Sequence, residues 1–354
     1  MIPELGIIEG YFGRMWSWPD RAFVLRTLAA AGYGFFHYAP KGEARLRRGW
    51  RDPFDDAALH ELAAFARLCR ALGVRFGIGL TPYEAHLDSG PTARRALKAK
   101  LSQLRDLGLE DLVILFDDMR GDLPDLAARQ ADIVSTCLVE AVAERHFVVP
   151  SYYSDDPILD RVFGARPAHY LRDLGRGLAS TVSVYWTGEA VCSKTYDIVH
   201  LDRVSSELER PVSLWDNYPV NDGPRMSAYL HLRGFPRTHA DLAGRVRHHA
   251  INPMLQPRLG LIAALTLPIV YRAGQAHAEA EALRDAAVQV LGESLADRLL
   301  ADLPLLQHAG RSGAGLDLSR LIDRYGGLDH PAALEIVDWA CGGYAMGDEL
   351  VRTQ

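Results

Sequence analysis

The stretch Leu112-Val113-Ile114-Leu115-Phe116-Asp117-Asp118 decides the fold, because five apolar residues run directly into two adjacent carboxylates. An uninterrupted apolar run of this length is typical of a strand buried on both faces, as in a parallel sheet covered by helices. Such folds place their chemistry at the carboxyl ends of the strands. An Asp pair after a strand is also a common turn or helix N-cap. The stretch therefore predicts a parallel α/β fold and leaves the role of the pair open.

The composition is that of a soluble globular protein. The chain has 354 residues, 48% of them hydrophobic and 24% charged, with a net charge of −6. This length allows one large domain or two ordinary ones. The sequence contains no basic block, so we expect no nucleic-acid partner.

The cysteines and the apolar runs point to a reducing, aqueous compartment. The four cysteines are widely spaced, without a CxxC motif or a Cys/His cluster, so we expect free thiols and no zinc site. The first residues lack the pattern of a signal peptide, and no run of about 18 apolar residues predicts a membrane span. We therefore expect a cytoplasmic protein that does not bind membranes.

Short apolar runs alternate with amphipathic stretches over the first three quarters of the chain. Eight such runs predict strands at 5–9, 34–39, 74–80, 112–116, 147–153, 180–186, 212–215 and 246–251. Eight strands with helices between them over about 260 residues match a (β/α)8 TIM barrel. A doubly wound sheet is the alternative, and the eightfold count with polar loops after nearly every strand favours the barrel.

The rest of the chain has helical periodicity without strand signals. The predicted helices span 276–291, 294–300 and 332–340, and a Gly-rich stretch at 310–315 is interpreted as a linker. We therefore predict a (β/α)8 catalytic barrel over 1–272, followed by a C-terminal α-helical region over 273–354.

Polar and aromatic residues collect just past the predicted strands, where a barrel would bring them to one face. They are Gly10, Trp16, Trp18, Lys41, Asp117, Asp118, Tyr152, Tyr153, Trp186, Lys194, Trp215, Asn217, Asn221, Asp222 and Asn252. Lys41 and Lys194 are notable because only four of the 39 cationic residues are lysines. Single members have structural alternatives: a tryptophan can pack in the barrel rim, Asn252 before Pro253 can form a turn, and Lys41 can be a solvated charge.

The chemical character of this set favours a carbohydrate. Aromatic rings pack on the apolar face of a sugar, and Asp, Asn and Lys hydrogen-bond to its hydroxyl groups. A phosphate site would need more cations, and a metal site would need histidines or more closely grouped acids, so we expect neither a metal nor a cofactor. Paired carboxylates in such a pocket suggest glycoside hydrolysis.

Six motifs in order resemble the catalytic domain of glycoside hydrolase family 84, which includes O-GlcNAcases and bacterial hexosaminidases. They are Gly6-Ile7-Ile8-Glu9-Gly10-Tyr11-Phe12-Gly13-Arg14, Tyr38-Ala39-Pro40-Lys41, Phe116-Asp117-Asp118, Trp186-Thr187-Gly188 with Ser193-Lys194, Trp215-Asp216-Asn217 with Asn221-Asp222, and Asn252-Pro253. The resemblance covers roughly residues 5–270.

The resemblance implies a retaining β-N-acetylglucosaminidase in which the substrate's own 2-acetamido carbonyl is the nucleophile and an oxazoline is the intermediate. It implies that Asp117 orients the acetamido N–H and that Asp118 is the general acid and then the general base. Tyr153, or Tyr152 in its place, would contact the acetamido group, and Trp215 would form part of the pocket wall. The residues that would hold the sugar are Gly10, Lys41, Asn217, Asp222 and Asn252.

Two physical requirements accompany this assignment. Two neighbouring carboxylates do not ionise equally easily, so one of them should have a raised pKa suited to proton donation. Adjacent residues of a regular strand point to opposite faces, so Asp117 and Asp118 can face one sugar only if the strand ends at or near Asp117.

We expect the chain to remove terminal GlcNAc from a glycoside or glycoprotein. Two other readings stay open at this stage: a catalytically silent GlcNAc-binding barrel that acts as a recognition module, and a metal-dependent barrel hydrolase. A homodimer through the C-terminal helices is a further expectation.

Overall fold

A closed barrel of eight parallel strands forms the centre of the protein. The structure, a computed structural model, describes residues 1–87, 90–311, 313 and 317–347. Each strand pairs with the next, and β1 pairs with β8 to close the barrel. The strands are β1 (Glu4–Glu9), β2 (Phe35–Tyr38), β3 (Arg75–Leu80), β4 (Asp111–Leu115), β5 (Arg145–Val149), β6 (Ser183–Trp186), β7 (Ser213–Asp216) and β8 (His248–Ile251). The predicted barrel is confirmed, and the doubly wound alternative is wrong.

Helices surround the barrel and continue beyond its last strand. They are α1 (Trp18–Ala31), α2 (Asp56–Ala71), α3 (Pro91–Arg105), α4 (Leu126–Val139), α5 (Pro157–Phe163), α6 (Tyr170–Gly177), α7 (Ile198–Leu208), α8 (Gly223–Met226), α9 (Pro257–Ala273), α10 (Glu279–Leu291), α11 (Glu293–Leu303), α12 (Leu318–Gly326) and α13 (Pro331–Ala340). Shorter 3-10 turns lie at Ala44–Leu46, Arg237–Leu242 and Gly274–Ala276, and Pro304–Ala309 forms a π-helical turn.

Local differences from the sequence-based elements have physical causes. β5 ends at Val149, four residues before the predicted end, because Pro150 has no N–H to continue the ladder. The α5 helix was not predicted, although Asp156 caps it by accepting a hydrogen bond from the N–H of Ile158 and Pro157 occupies its first turn.

The C-terminal helices pack on the barrel, as the contacts of α13 illustrate. The buried Glu335 carboxylate accepts hydrogen bonds of 3.0 Å from the N–H groups of Arg258 and Leu259, at the start of α9. Trp339 donates through its indole N–H to the carbonyl of Ser227, in the loop after β7. The predicted boundary after residue 272 falls in the last turn of α9, while the division into two domains and the homodimer stay predictions. Residues 312, 314 and 315 of the predicted linker lie outside the described residues, as do 316 and 348–354.

Among the residues that the structure describes, one helix, Pro257–Ala276, is long and apolar enough to cross a membrane by length and composition alone, which the sequence analysis did not anticipate. However, 67% of its most apolar window is buried inside the structure. Such burial is typical of a core helix packed between a barrel and its outer layer.

The Glu335 carboxylate caps the start of α9, and this contact generates a stability prediction. Glu335→Ala should lower the free energy of unfolding by about 2 kcal/mol, because it leaves two buried N–H groups without acceptors. Urea unfolding measures the change, with Leu334→Ala as the control, since Leu334 lies next to Glu335 and is 57% exposed. Equal stability of the two variants would contradict the capping role.

Candidate active site

A single pocket at the carboxyl ends of the strands contains every residue that the sequence analysis assigned to the site. The lining residues are Gly10, Phe12, Lys41, Asp117, Asp118, Val149, Tyr153, Thr187, Val191, Cys192, Trp215, Asn217, Val220, Asp222 and Asn252. They follow seven different strands, so the pocket is surrounded on all sides by loops of the barrel.

The two acidic neighbours share the pocket because the chain leaves the strand just before them. β4 ends at Leu115, and the N–H of Phe116 makes a last bond of 2.9 Å to the carbonyl of Val149. Asp118 then adopts a left-handed conformation with φ of 59°. This turn removes the alternation that would send the two side chains to opposite faces. The required end of the strand before Asp117 is therefore present.

Lys41 makes a direct ion pair with Asp117. Lys41 Nζ, at the end of β2, donates a hydrogen bond to Asp117 Oδ2 at the end of β4, and the two side chains are only 3% and 9% exposed. A hydrogen bond between an ammonium group and a carboxylate is charge-assisted and stronger than a neutral one. Asp117 Oδ1 is buried without a hydrogen-bond partner in the structure. Asp117 therefore presents a second carboxyl oxygen with unused acceptor capacity.

A chain of amide hydrogen bonds ties the loops after β1, β7 and β8 together. The N–H of Gly10 donates to Asn252 Oδ1 over 3.2 Å, and Asn252 Nδ2 donates to Asn217 Oδ1 over 3.0 Å. Trp215 Nε1 donates to the same Asn217 oxygen over 2.8 Å. Asn217 Nδ2 is held by the carbonyl of Val191 at 2.7 Å. The network fixes the orientation of both amides at the pocket wall.

Gly10 is required by packing. A Cβ atom at this position would lie 2.3 Å from the six-membered ring of Trp215, so a side chain would displace the indole from the pocket wall. Nearby, Asp222 Oδ2 accepts a 2.8 Å hydrogen bond from the N–H of Phe12, which joins the loop after β7 to the loop after β1. Both contacts join the loop after β1 to β7 and the loop that follows it.

The structure distinguishes the two adjacent tyrosines. Tyr153 lines the pocket, whereas Tyr152 is fully buried and donates its hydroxyl proton to the carbonyl of Gly164 over 2.6 Å. Tyr152 also packs against the ring of Tyr170. Tyr153 is therefore the tyrosine that a ligand can contact in this pocket.

Six lining residues were not assigned to the site from the sequence: Phe12, Val149, Thr187, Val191, Cys192 and Val220. The three valines and Cys192 give no polar or aromatic signal, whereas Phe12 and Thr187 lie in motifs of the family resemblance without a predicted role. Thr187 and Val191 lie in or beside the Trp186-Thr187-Gly188 motif, which was the available signal. Burial raises the pKa of the Cys192 thiol to about 12, with nearby Asp222 adding to the effect. Cys192 is therefore a neutral wall residue and not an activated nucleophile.

Other candidates from the strand ends are structural. Trp16 donates its indole N–H to the carbonyl oxygens of Met254 and Leu255, and Trp186 donates to His200 Nε2 over 3.1 Å. Trp18 packs on the ring of Tyr38. The alternative of rim packing is confirmed for these three tryptophans.

A buried cluster of Asp216, His239 and His249 lies beside the pocket wall, and the sequence analysis did not anticipate it. The Nε2 atoms of His239 and His249 lie 3.3 and 3.1 Å from Asp216 Oδ2. Burial alone would raise the pKa of Asp216, but hydrogen bonds from the two imidazoles bring it below its usual value. The three potential ligand atoms lie within 4.8 Å of one another. Their mutual hydrogen bonds account for the arrangement, and none of the three residues lines the pocket.

A (β/α)8 barrel with two adjacent acids in a pocket at the carboxyl ends of its strands is typical of barrel glycoside hydrolases. The sequence profile of the beta-N-acetylglucosaminidase family matches residues 5–302 of this chain. The chain belongs to this family, and the resemblance to glycoside hydrolase family 84 is confirmed.

Individual relatives agree with the family. The chain is 25% identical to Protein O-GlcNAcase of Mus musculus and to that of Rattus norvegicus, over 279 residues in each case. These matches cover 75% of this chain but only 30% of each relative's length. The solved structure of a mutant O-GlcNAc hydrolase from Thermobaculum terrenum is 25% identical, with a TM-score of 0.77 over 94% of this chain and 73% of that chain.

The tyrosine pair generates a binding prediction. Tyr153→Phe should weaken the binding of N-acetylglucosamine about tenfold, the effect of losing one hydrogen bond to a ligand. Tyr152→Phe should leave the affinity unchanged and lower the free energy of unfolding by about 1 kcal/mol, because it loses only the bond to Gly164. Calorimetric titration and urea unfolding measure the two effects. The reverse pattern of affinities would contradict the assignment of Tyr153.

Proposed function

We propose that the chain is a retaining exo-β-N-acetylglucosaminidase that removes terminal GlcNAc by substrate-assisted catalysis. The ion pair of Lys41 with Asp117 carries the proposal, because it separates the roles of two adjacent acids. A carboxylate oxygen already engaged by a buried ammonium group is poorly placed to carry a proton to a leaving group. Asp117 is then the group that stabilises positive charge, and Asp118 is the group that transfers the proton.

The reaction proceeds in two steps at the anomeric carbon. In the first, the acetamido carbonyl oxygen of the bound sugar attacks that carbon while its bond to the leaving oxygen breaks. Asp118 gives its proton to the leaving oxygen, and Asp117 accepts a hydrogen bond from the acetamido N–H, whose nitrogen becomes positively charged. In the second, Asp118 takes a proton from water, which attacks the anomeric carbon and reopens the oxazoline. Two displacements give net retention.

The remaining wall fits a single terminal sugar. Asn217, Asp222 and Asn252 offer amide and carboxylate groups to its hydroxyl groups, and Trp215 offers an apolar surface. Loops from seven strands surround the pocket, which suits the end of a glycan better than its interior. The substrate is a GlcNAc-bearing glycoside or glycoprotein, and a cytoplasmic location stays a prediction.

The first experiment measures turnover of aryl β-GlcNAc glycosides. We expect hydrolysis with retained configuration, and a steady fall in kcat/KM as the acetamido methyl group is replaced by CH2F, CHF2 and CF3, because fluorine weakens the carbonyl nucleophile. Binding without turnover would favour the silent recognition module. Loss of activity with a chelator would favour a metal-dependent hydrolase, and a rate insensitive to fluorination would favour an enzymic nucleophile.

The two carboxylates are distinguished by a leaving-group series. Asp118→Asn should lower kcat/KM about 10²- to 10⁴-fold for alkyl glycosides, which need protonation, and much less for dinitrophenyl glycosides. Asp117→Asn should lower the rate for all leaving groups, because it impairs formation of the oxazoline. If Asp118→Asn slows both substrate classes equally, Asp118 is not the general acid.

A further inference from the structure

Arg47 is a buried cation beside the pocket that the family resemblance did not include. It follows the 3-10 turn Ala44–Leu46 in the long loop after β2, and its side chain is 10% exposed. Its NH2 group lies 3.6 Å from Asp118 Oδ2. The guanidinium group also lies over the rings of Phe12 and Tyr83, at 5.3 and 5.6 Å from their centroids. Phe12 is itself part of the pocket wall.

The backbone around Arg47 is firmly attached to the loop after β3. The N–H of Thr81 donates to the carbonyl of Leu46 over 2.7 Å, and Trp50 Nε1 donates to the carbonyl of Tyr83 over 3.1 Å. Trp50 is fully buried. The guanidinium group therefore lies next to two rings on a loop whose backbone is hydrogen-bonded to the loop after β3. Arg47 Nε is buried without a hydrogen-bond partner. An unpaired buried donor costs stability, and such groups are often retained for a functional role.

We propose that Arg47 is a positioning residue for Asp118. The guanidinium group of Arg47 stabilises the carboxylate that forms when Asp118 gives its proton to the leaving group. The proposal rests on the proposed function of Asp118. The 3.6 Å separation is within ion-pair distance and longer than a normal hydrogen bond. Once that proton has left, the cation is already in place, and no reorganisation is needed.

Other ionisable groups line the same pocket as Asp118 and set the background for this effect. They are Lys41 and Asp117, which form their own ion pair, with Tyr153, Cys192 and Asp222. In the flanking loops, the N–H of Glu84 contacts the sulfur of Met119, and Arg120 pairs with Asp122. Arg48 is the neighbouring cation in the loop of Arg47; it is exposed and lies 5.7 Å from the ring centroid of Tyr83. It provides a matched control.

The test compares the pH dependence of kcat/KM in Arg47→Gln, Arg48→Gln and the unmodified protein. A cation beside a carboxylate lowers the pKa of that acid, so removing Arg47 should raise the pKa of Asp118. The alkaline limb of the kcat/KM profile should therefore move to higher pH by about 1 unit. Arg48→Gln should leave the limb in place. The rate on alkyl glycosides should fall in Arg47→Gln more than the rate on dinitrophenyl glycosides, because the weakened acid matters only where protonation is needed.

Further variants separate this role from a structural one. Arg47→Met keeps an apolar side chain next to the rings of Phe12 and Tyr83, and it should move the alkaline limb as Arg47→Gln does. Arg47→Lys keeps the positive charge and should leave the limb in place. In an Asp118→Asn background, Arg47→Gln should have little further effect on dinitrophenyl glycosides. If the unmodified enzyme hydrolyses GlcNAc glycosides but the alkaline limb of the pH profile does not move in folded Arg47→Gln or Arg47→Met, the inference about Arg47 is overturned. Absence of that hydrolysis would overturn the proposed function instead.

Discussion

The conformation at Asp118 is the constraint on which the site depends. β4 ends at Leu115, and the left-handed φ of 59° at Asp118 redirects the chain within three residues. In a regular strand, Asp117 and Asp118 would point to opposite faces, and one of them would be lost to the wall of the barrel. Asp adopts the left-handed region more readily than most residues with a side chain, so the turn needs no glycine. Strain at one residue therefore lets two acids with different neighbours share one pocket.

Closure of the barrel supplies the second half of the site. Gly10 and Asn252 are separated by 242 positions in the sequence, yet a hydrogen bond joins them because β1 pairs with β8. Asn252 in turn binds Asn217, whose oxygen also accepts from Trp215. These hydrogen bonds connect loops that follow neighbouring strands, and the sheet already fixes the positions of those strands. The pocket wall is therefore preorganised by the fold and does not depend on a ligand to assemble it.

Strand ends could be predicted from sequence because buried apolar runs and the polar residues that follow them are local signals. The convergence of Gly10, Lys41 and Asn252 followed from the barrel hypothesis alone. The choice between Tyr152 and Tyr153 did not, because it depends on where β5 ends and on a bond to Gly164. The pairing of distant side chains such as Asp216 with two histidines, or Asp118 with Arg47, is set by tertiary packing that no local pattern encodes.

The charges of the pocket show how two adjacent acids are kept different. Each carboxylate has a cation, but Lys41 bonds directly to Asp117, whereas Arg47 stands 3.6 Å from Asp118. A direct ammonium contact engages one oxygen of Asp117 in a charge-assisted hydrogen bond. A delocalised guanidinium group at a longer distance adds positive charge beside Asp118. The two cations thus stand at different distances from the two acids, which makes the surroundings of the acids unequal. In the proposed mechanism, the acid that transfers the proton is the one with the more distant of these two cations.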